Sequence, residues 1–257
     1  MNTINFIWLG NVKKPLDIIN SWNEDDLKIK IWSEDNLNEI ENFHNIDKFY
    51  ESNKPNQKSD ILRLEILYQY GGIYMDSDII CLKKLSKLIK KLNNIDKDFF
   101  ICREKKNCIS NSFFYIKNKK NKLIKKMINE LSLCEIKNDK NEYNPIHKTT
   151  GPKFITEILK ESDEDDYHIL DYYYFNFCLD FSKLFINDEF KILENMKLQS
   201  KNKDLQYEVD LDNIFGIQLW LGGKSVTYNS LSKKNIDNAY KNFQIYLKFF
   251  KEFSLKN

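Results

Sequence analysis

The chain has 257 residues, of which 42% are hydrophobic, 14% aromatic and 30% charged, with a formal net charge of +2. That length suits one large domain with a substantial core, and the near-neutral total argues against a nucleic-acid partner. Five scattered cysteines (Cys81, Cys102, Cys108, Cys134 and Cys178) form no Cys-x-x-Cys pair, which argues against a disulfide framework or zinc knot and for a reducing, cytoplasmic setting.

The first residues lack a basic region followed by an apolar one, and no run of about 18 apolar residues occurs, so neither a signal peptide nor a bilayer span is expected. Thr3–Leu9 is a short apolar run of strand character ending at Gly10. Lys14–Trp22 has helical spacing after Pro15, and Leu27–Trp32 alternates as a strand does. Ser33 and Asp35 offer caps for a short helix. This alternation points to a parallel α/β sheet. Ser59–Tyr70 predicts a helix apolar over much of its surface, capped by Ser59 or Asp60 and stopped at Gly71-Gly72. A strand then runs through Ile73-Tyr74-Met75 into Asp76.

Further on, the spacing predicts a helix over Leu82–Leu92, strands over Phe99–Cys102 and Phe113–Ile116, and an amphipathic helix over Lys119–Leu131. A polar loop spans 138–144. Pro152–Lys160 predicts a helix, followed by the acidic turn Glu161–Asp166. Tyr167–Phe190 is aromatic-rich and β or irregular, and Ile214–Leu221 reads as a buried strand. A long C-terminal helix covers about 234–253. No internal repeat or Gly/Ser-rich linker breaks the sequence, so 1–257 is expected to be a single domain.

Four Asp-x-Asp strings occur: Asp76/Asp78, Asp96/Asp98, Asp163/Asp165 and Asp210/Asp212. Two carboxylates at i and i+2 at a strand end can face one hard divalent cation. Only Asp76/Asp78 follows a buried helix, a double glycine and an apolar strand. That context places it at the carboxyl end of a central strand, where open α/β sheets bind ligands. The other three pairs lie in polar surroundings or beside turns and are expected on the surface. On the preceding helix, Asp60 and Arg63 are i and i+3 and share a face. Burying them needs a purpose or a partner. A purely structural ion pair is the competing reading.

The string from Ser59-Asp60-Ile61-Leu62-Arg63 through Leu67 and Tyr70-Gly71-Gly72-Ile73-Tyr74-Met75 to Asp76-Ser77-Asp78 resembles the sugar-binding region of glycosyltransferase family 32, with its DXD motif. That family includes capsule and lipopolysaccharide transferases and relatives of the large glucosylating toxins. Phe6-Ile7-Trp8-Leu9-Gly10 resembles the family's opening strand, and Gln218-Leu219-Trp220 agrees more weakly. The resemblance implies a GT-A-like α/β fold, a Rossmann-like mixed sheet flanked by helices. It also implies Mn2+ or Mg2+, a nucleoside-diphosphate sugar and retention of anomeric configuration.

Carried over by position, Trp8 corresponds to the aromatic that stacks on the base. Asp60 and Arg63 correspond to donor-sugar contacts with Ser59 beside them, and Tyr74 to a residue near the nucleotide. Asp76 would contact ribose, or the metal through water, and Asp78 would ligate the metal directly. Gln218 stands where many relatives have a His ligand; its amide oxygen is a hard donor without charge. Trp220 fits the aromatic two residues on. Leu221-Gly222-Gly223-Lys224-Ser225 departs from the usual Gly-Ser-Trp. Lys224 could close over the diphosphate or be a surface lysine after a turn.

Three further features have two readings each. Asn111-Ser112 could reach donor or acceptor, or cap a turn. Thr149-Thr150-Gly151-Pro152 starts a helix with Pro near N1 or lines the acceptor cleft. The C-terminal helix combines aromatic residues with lysines, and either packs on the sheet or touches an anionic membrane surface. His44, His147 and His168 show no zinc spacing and are expected in loops or at the surface.

The expected reaction moves a hexosyl unit from a UDP- or GDP-sugar, UDP favoured, to a hydroxyl of a saccharide or lipid-linked acceptor in bacterial surface polysaccharide synthesis. The rivals are a degenerate transferase-fold effector and a phosphatase using an Asp nucleophile.

Overall fold

A computed structural model describes residues 2–105, 108–136, 145–175 and 211–219, with positions 234, 237, 238, 240–245 and 248. Trp220, Lys224, Cys178, Asp210 and the polar loop 138–144 lie outside the described residues. The chain divides into two compact units. Residues 1–11, 22–77 and 84–172 make the first, and 12–21, 78–83 and 173–257 the second.

The first unit is built on a six-stranded mixed sheet, and it has the α/β class expected. Its strands are β1 (Asn2–Ile7), β2 (Leu27–Trp32), β3 (Gly72–Met75), β5 (Phe99–Lys105), β6 (Cys108–Ile116) and β7 (His168–Leu170). Their order is β2-β1-β3-β6-β5-β7. β2, β1 and β3 are parallel, as the alternation predicts, whereas β6 runs antiparallel to both β3 and β5. The β5–β6 hairpin makes the sheet mixed. Helices α2 (Ile46–Glu51), α3 (Pro55–Tyr70), α4 (Leu85–Asn93), α5 (Lys122–Leu133), α6 (Pro145–Thr149) and α7 (Pro152–Lys160) belong to this unit. α3, α5 and α7 supply Ile61, Leu64, Leu67, Ile124, Met127, Ile155 and Ile158 to one core with Ile7, Trp32, Tyr74, Phe99 and Phe114.

The second unit contains α1 (Leu16–Asn20), β4 (Ile79–Cys81) and β8 (Gly216–Gln218). β4 and β8 pair antiparallel, with Ile79 opposite Gln218. The backbone N–H of Cys81 donates to Ser21 Oγ at 3.1 Å beside α1. In the C-terminal region residues 240–245 are helical, with Phe243 buried and Tyr240 exposed. Among the described residues no helix is long and apolar enough to cross a membrane; Cys102 is buried, and Cys81, Cys108 and Cys134 are half-buried.

Several local expectations need correction. α3 begins at Pro55, so Ser59 and Asp60 lie inside the helix and do not cap it. Proline at the first helical position pre-sets φ and gives up an N–H that has no helical partner there, which starts the helix a turn early. The predicted helix over Leu82–Leu92 starts at Leu85. His44 does stand in an exposed turn, as expected, and from there its Nδ1 lies 2.9 Å from the buried Glu65 carboxylate, which also accepts from the backbone N–H of Asn45 at 3.0 Å. His168 is in strand β7, with its ring against Phe100.

The double glycine sets the approach to Asp76. Gly71 caps α3 at φ 65° and Gly72 opens β3 at φ 81°. A Cβ on Gly72 would lie 2.8 Å from the Thr3 carbonyl oxygen of the neighbouring strand. Gly72→Ala therefore combines a left-handed φ with a backbone clash, and we expect it to lower unfolding free energy by about 1–3 kcal/mol. Urea unfolding measures this. No change would mean that β1 does not pass so close to the turn.

Candidate active site

The parallel strands end at one sheet edge. Beyond β1, the Trp8 N–H donates to the Trp32 carbonyl at 2.8 Å. Beyond β3, the Asp76 N–H donates to the Ser112 carbonyl at 2.9 Å. The register pairs Asn5 with Tyr74, so Trp8 and Asp76 leave adjacent strands at nearly the same level. Trp8 is 8% exposed.

Helix α3 brings Ser59, Asp60 and Arg63 to the same place. Arg63 Nη2 donates to Asp60 Oδ1 at 2.8 Å, and the pair is buried. Arg63 Nη1 reaches Asp76 Oδ1 at 3.4 Å and bonds the Asn111 carbonyl. Nε donates to the Ser59 carbonyl at 3.2 Å, and Nη2 lies 3.4 Å from Ser59 Oγ. A guanidinium has five N–H groups, and these five contacts match that number. Its carbon also sits 4.4 Å from the Tyr74 ring centre, a cation–π arrangement. The Tyr74 hydroxyl donates to Asp76 Oδ1 at 2.7 Å and lies 3.4 Å from Ser59 Oγ.

Two polar residues converge on Asp60 from far along the chain. Asn111 Nδ2 donates to Oδ1 at 2.8 Å from strand β6, and Thr150 Oγ1 donates to Oδ2 at 3.0 Å from the turn after α6. Asn111 lies within β6 rather than ahead of a strand, because the pairing with β5 extends back to Cys108. Neither residue belongs to a local pattern, since they stand 51 and 90 positions from Asp60. Their side-chain chemistry is the only signal the sequence offers.

The electrostatics follow from this crowding. Burial pushes the Asp60 carboxyl up from 3.8 to about 7, and Asp76 adds to the rise against the pull of Arg63 and the bonds from Thr150 and Asn111. Burial also works against the Arg63 charge, but Tyr74, Asp60 and Asp76 outweigh it and raise its pKa. Burial above all holds the Tyr74 hydroxyl well above its ordinary range, so it stays a neutral donor to Asp76. The Asp76 side chain keeps 24% exposure, so the least buried carboxylate of the cluster can meet a ligand.

In the second unit, the Asp78 carbonyl accepts from the Leu219 N–H at 2.9 Å, and Gln218 pairs with the residue after Asp78. Asp78 and Gln218 are both buried. Of the other Asp-x-Asp strings, Asp98 accepts from Asn118, Asp163 accepts from the Asp165 N–H, and Asp165 is exposed beside Lys97. These are turn and surface roles.

An α/β sheet with a charged cluster at the carboxyl end of a central strand defines a class: a ligand-binding domain of the strand-end type. The comparisons specify it further. Residues 12–99 match the family model described as the glycosyltransferase sugar-binding region containing DXD motif, and residues 57–161 match the TcdA/TcdB catalytic glycosyltransferase domain. The resemblance to DXD glycosyltransferases is thereby borne out. Over 41 residues the chain is 51% identical to an uncharacterized protein of Arabidopsis thaliana, a match covering 16% of this chain and 6% of that protein. Among solved structures it is similar to PaToxG glycosyltransferase, at 18% identity and TM-score 0.44, covering 94% of this chain and 85% of that one. It is also similar to A197 from STIV, at 15% identity and TM-score 0.32, covering 66% and 82%.

Proposed function

We propose that the chain is a retaining glycosyltransferase that moves a hexosyl unit from a UDP- or GDP-sugar, UDP favoured, to an acceptor hydroxyl. The observation that carries this is the buried Asp60–Arg63–Asp76 cluster with Tyr74 at the end of β3, inside both matched family regions. Asp60 accepts a hydrogen bond from a hydroxyl of the donor sugar and so orients it. Arg63 holds Asp60 and Asp76 in one geometry. Trp8 lies at the edge where the base would stack, with Ser59 and Tyr74 lining the same end. Trp220 and Lys224 complete the proposed donor contacts.

The donor set for a divalent ion is Asp78 directly, Asp76 through water, and Gln218 through its amide oxygen. All three offer oxygen, which fits Mn2+ or Mg2+. Among the described residues no group of three or more His, Cys, Asp or Glu could hold a metal. In general such ions bound with few carboxylates take substrate phosphates and water as further ligands. When bound, such an ion supplies Lewis-acid neutralisation of the departing diphosphate.

The acceptor is proposed to be a saccharide or lipid-linked hydroxyl in bacterial surface polysaccharide synthesis. The proposed location is the cytoplasm at the inner face of the membrane, with the C-terminal helix as the contact. The presence of Asp60, Arg63, Asp76 and Asp78 in the sequence argues against a degenerate effector. A thermal-shift panel of UDP- and GDP-sugars with Mn2+ tests the reading. Wild type should be stabilised by at least one donor, and Asp78→Asn should lose that gain. Slow release of UDP or GDP should accompany it. Phosphate released from generic esters would point to the phosphatase instead, and no stabilisation by any nucleotide would sink the transferase.

A further inference from the structure

We infer that Thr150 is a positioning residue for donor-sugar recognition, aiming Oδ2 of Asp60 at a single sugar hydroxyl. The inference rests on the functional reading above, in which Asp60 meets the sugar.

An ionised carboxylate offers about four acceptor positions, two on each oxygen. On Asp60, Oδ1 takes Arg63 Nη2 at 2.8 Å and Asn111 Nδ2 at 2.8 Å. Oδ2 takes Thr150 Oγ1 at 3.0 Å. One acceptor position is then left, and it lies on Oδ2. The terminal torsion of an aspartate is broad, so two bonds to Oδ1 pin that oxygen without setting the plane of the group. The Thr150 hydroxyl sets the plane, and with it the direction in which the fourth position points.

Thr150 is itself firmly placed. It is 2% exposed, and its backbone N–H donates to the Ile146 carbonyl at 3.0 Å, as does that of Gly151 at 2.9 Å. One residue earlier, Thr149 Oγ1 accepts from Gln57 Nε2 at 3.4 Å, which ties the turn to α3 one helical turn before Asp60. Gly151 then caps α7, whose first residue is Pro152. The hydroxyl is thus delivered from a backbone held at both ends.

The test compares wild type, Thr150→Val and Thr150→Ser by calorimetric binding with Mn2+. The probes are UDP, GDP, UDP-glucose, UDP-galactose, UDP-N-acetylglucosamine and GDP-mannose. Val keeps the shape and removes the donor, while Ser keeps the donor. We expect Thr150→Val to bind the preferred nucleotide sugar about tenfold more weakly, the scale of one hydrogen bond to a charged group. Binding of the free nucleotide should be unchanged, and Thr150→Ser should bind the sugar nucleotide as wild type does. Sugar-nucleotide affinity unchanged in Thr150→Val overturns the proposal. So does an equal loss for free nucleotide and sugar nucleotide, which marks a merely structural role, or a Thr150→Ser variant as weak as Val. A wild type that binds none of the probes overturns the donor reading itself.

Discussion

Arg63→Met is expected to lower the unfolding free energy by about 3–5 kcal/mol, the usual cost of removing one partner from a buried ion pair. Arg63 sits between two carboxylates, Asp60 Oδ1 at 2.8 Å and Asp76 Oδ1 at 3.4 Å. Without it, Asp60 must either stay buried as an unpaired charge or take up a proton, and the Ser59 and Asn111 carbonyls lose a donor. Methionine replaces the length and the apolar stem, so the loss reports the charge and the fork rather than a cavity.

Arg63→Lys separates those two. A lysine keeps the charge, but its three donors sit on one nitrogen and cannot reproduce a planar fork. Arg63 bonds five protein atoms from three nitrogens and stacks on Tyr74 at 4.4 Å. Lysine should recover about half the stability and little of the activity, because the relative placement of Asp60 and Asp76 is lost. Chemical unfolding and sugar-nucleotide hydrolysis of the two variants give both readouts. Near wild-type stability in Arg63→Met would mean that the guanidinium is not the hub of the cluster.

The parts of this site readable in sequence are those that share an element or follow one another. Asp60 and Arg63 announce themselves as charges on an apolar helix. Asp76 is singled out from the other Asp-x-Asp strings by the apolar strand and glycine turn before it. Gly71-Gly72 predicts a stop, and the backbone has φ 65° and 81° there. Asn111 and Thr150 carry no comparable mark. Their contacts to Asp60 depend on β6 pairing antiparallel with β3, and on α7 packing on β6 with α6 against α7, which no local period encodes. The same limit explains the sheet. The parallel β2-β1-β3 part follows from alternating strands and helices, while the antiparallel hairpin arises where no predicted helix separates Phe99–Cys102 from Phe113–Ile116. His44 shows the converse. It has no zinc spacing, but its partner Glu65 lies 21 residues away and is visible only once α3 is packed.

Donor use should rise with pH through about 7 and level off above it, falling about tenfold per pH unit below, as a single ionisation requires. The group responsible is Asp60. The charged and titratable groups around it are Arg63 on its own helix, Tyr74 on β3 and Asp76 just beyond that strand, while Asn111 and Thr150 are neutral. Ionised, Asp60 accepts from the sugar; protonated, it loses that acceptor position.

Stability should move the opposite way. The folded pKa of about 7 lies above the unfolded value of 3.8, so between about pH 4 and 7 the folded chain holds a proton that the unfolded chain has released. Stability from this group therefore falls as pH rises across that window, and is flat below and above it. The full span corresponds to roughly 4 kcal/mol as an upper figure. Asp60→Asn removes the titration. It should flatten the stability slope between about pH 4 and 7 and cost donor use about 10–100-fold at pH 8, where wild type is ionised. Urea unfolding and sugar-nucleotide hydrolysis across pH 4.5–8 measure the two trends on the same samples. An acid limb that persists at about 7 in the Asn variant would assign the titration to another group. A site that binds its substrate best in the state that folds least tightly is what a buried carboxylate awaiting one more hydrogen bond should produce.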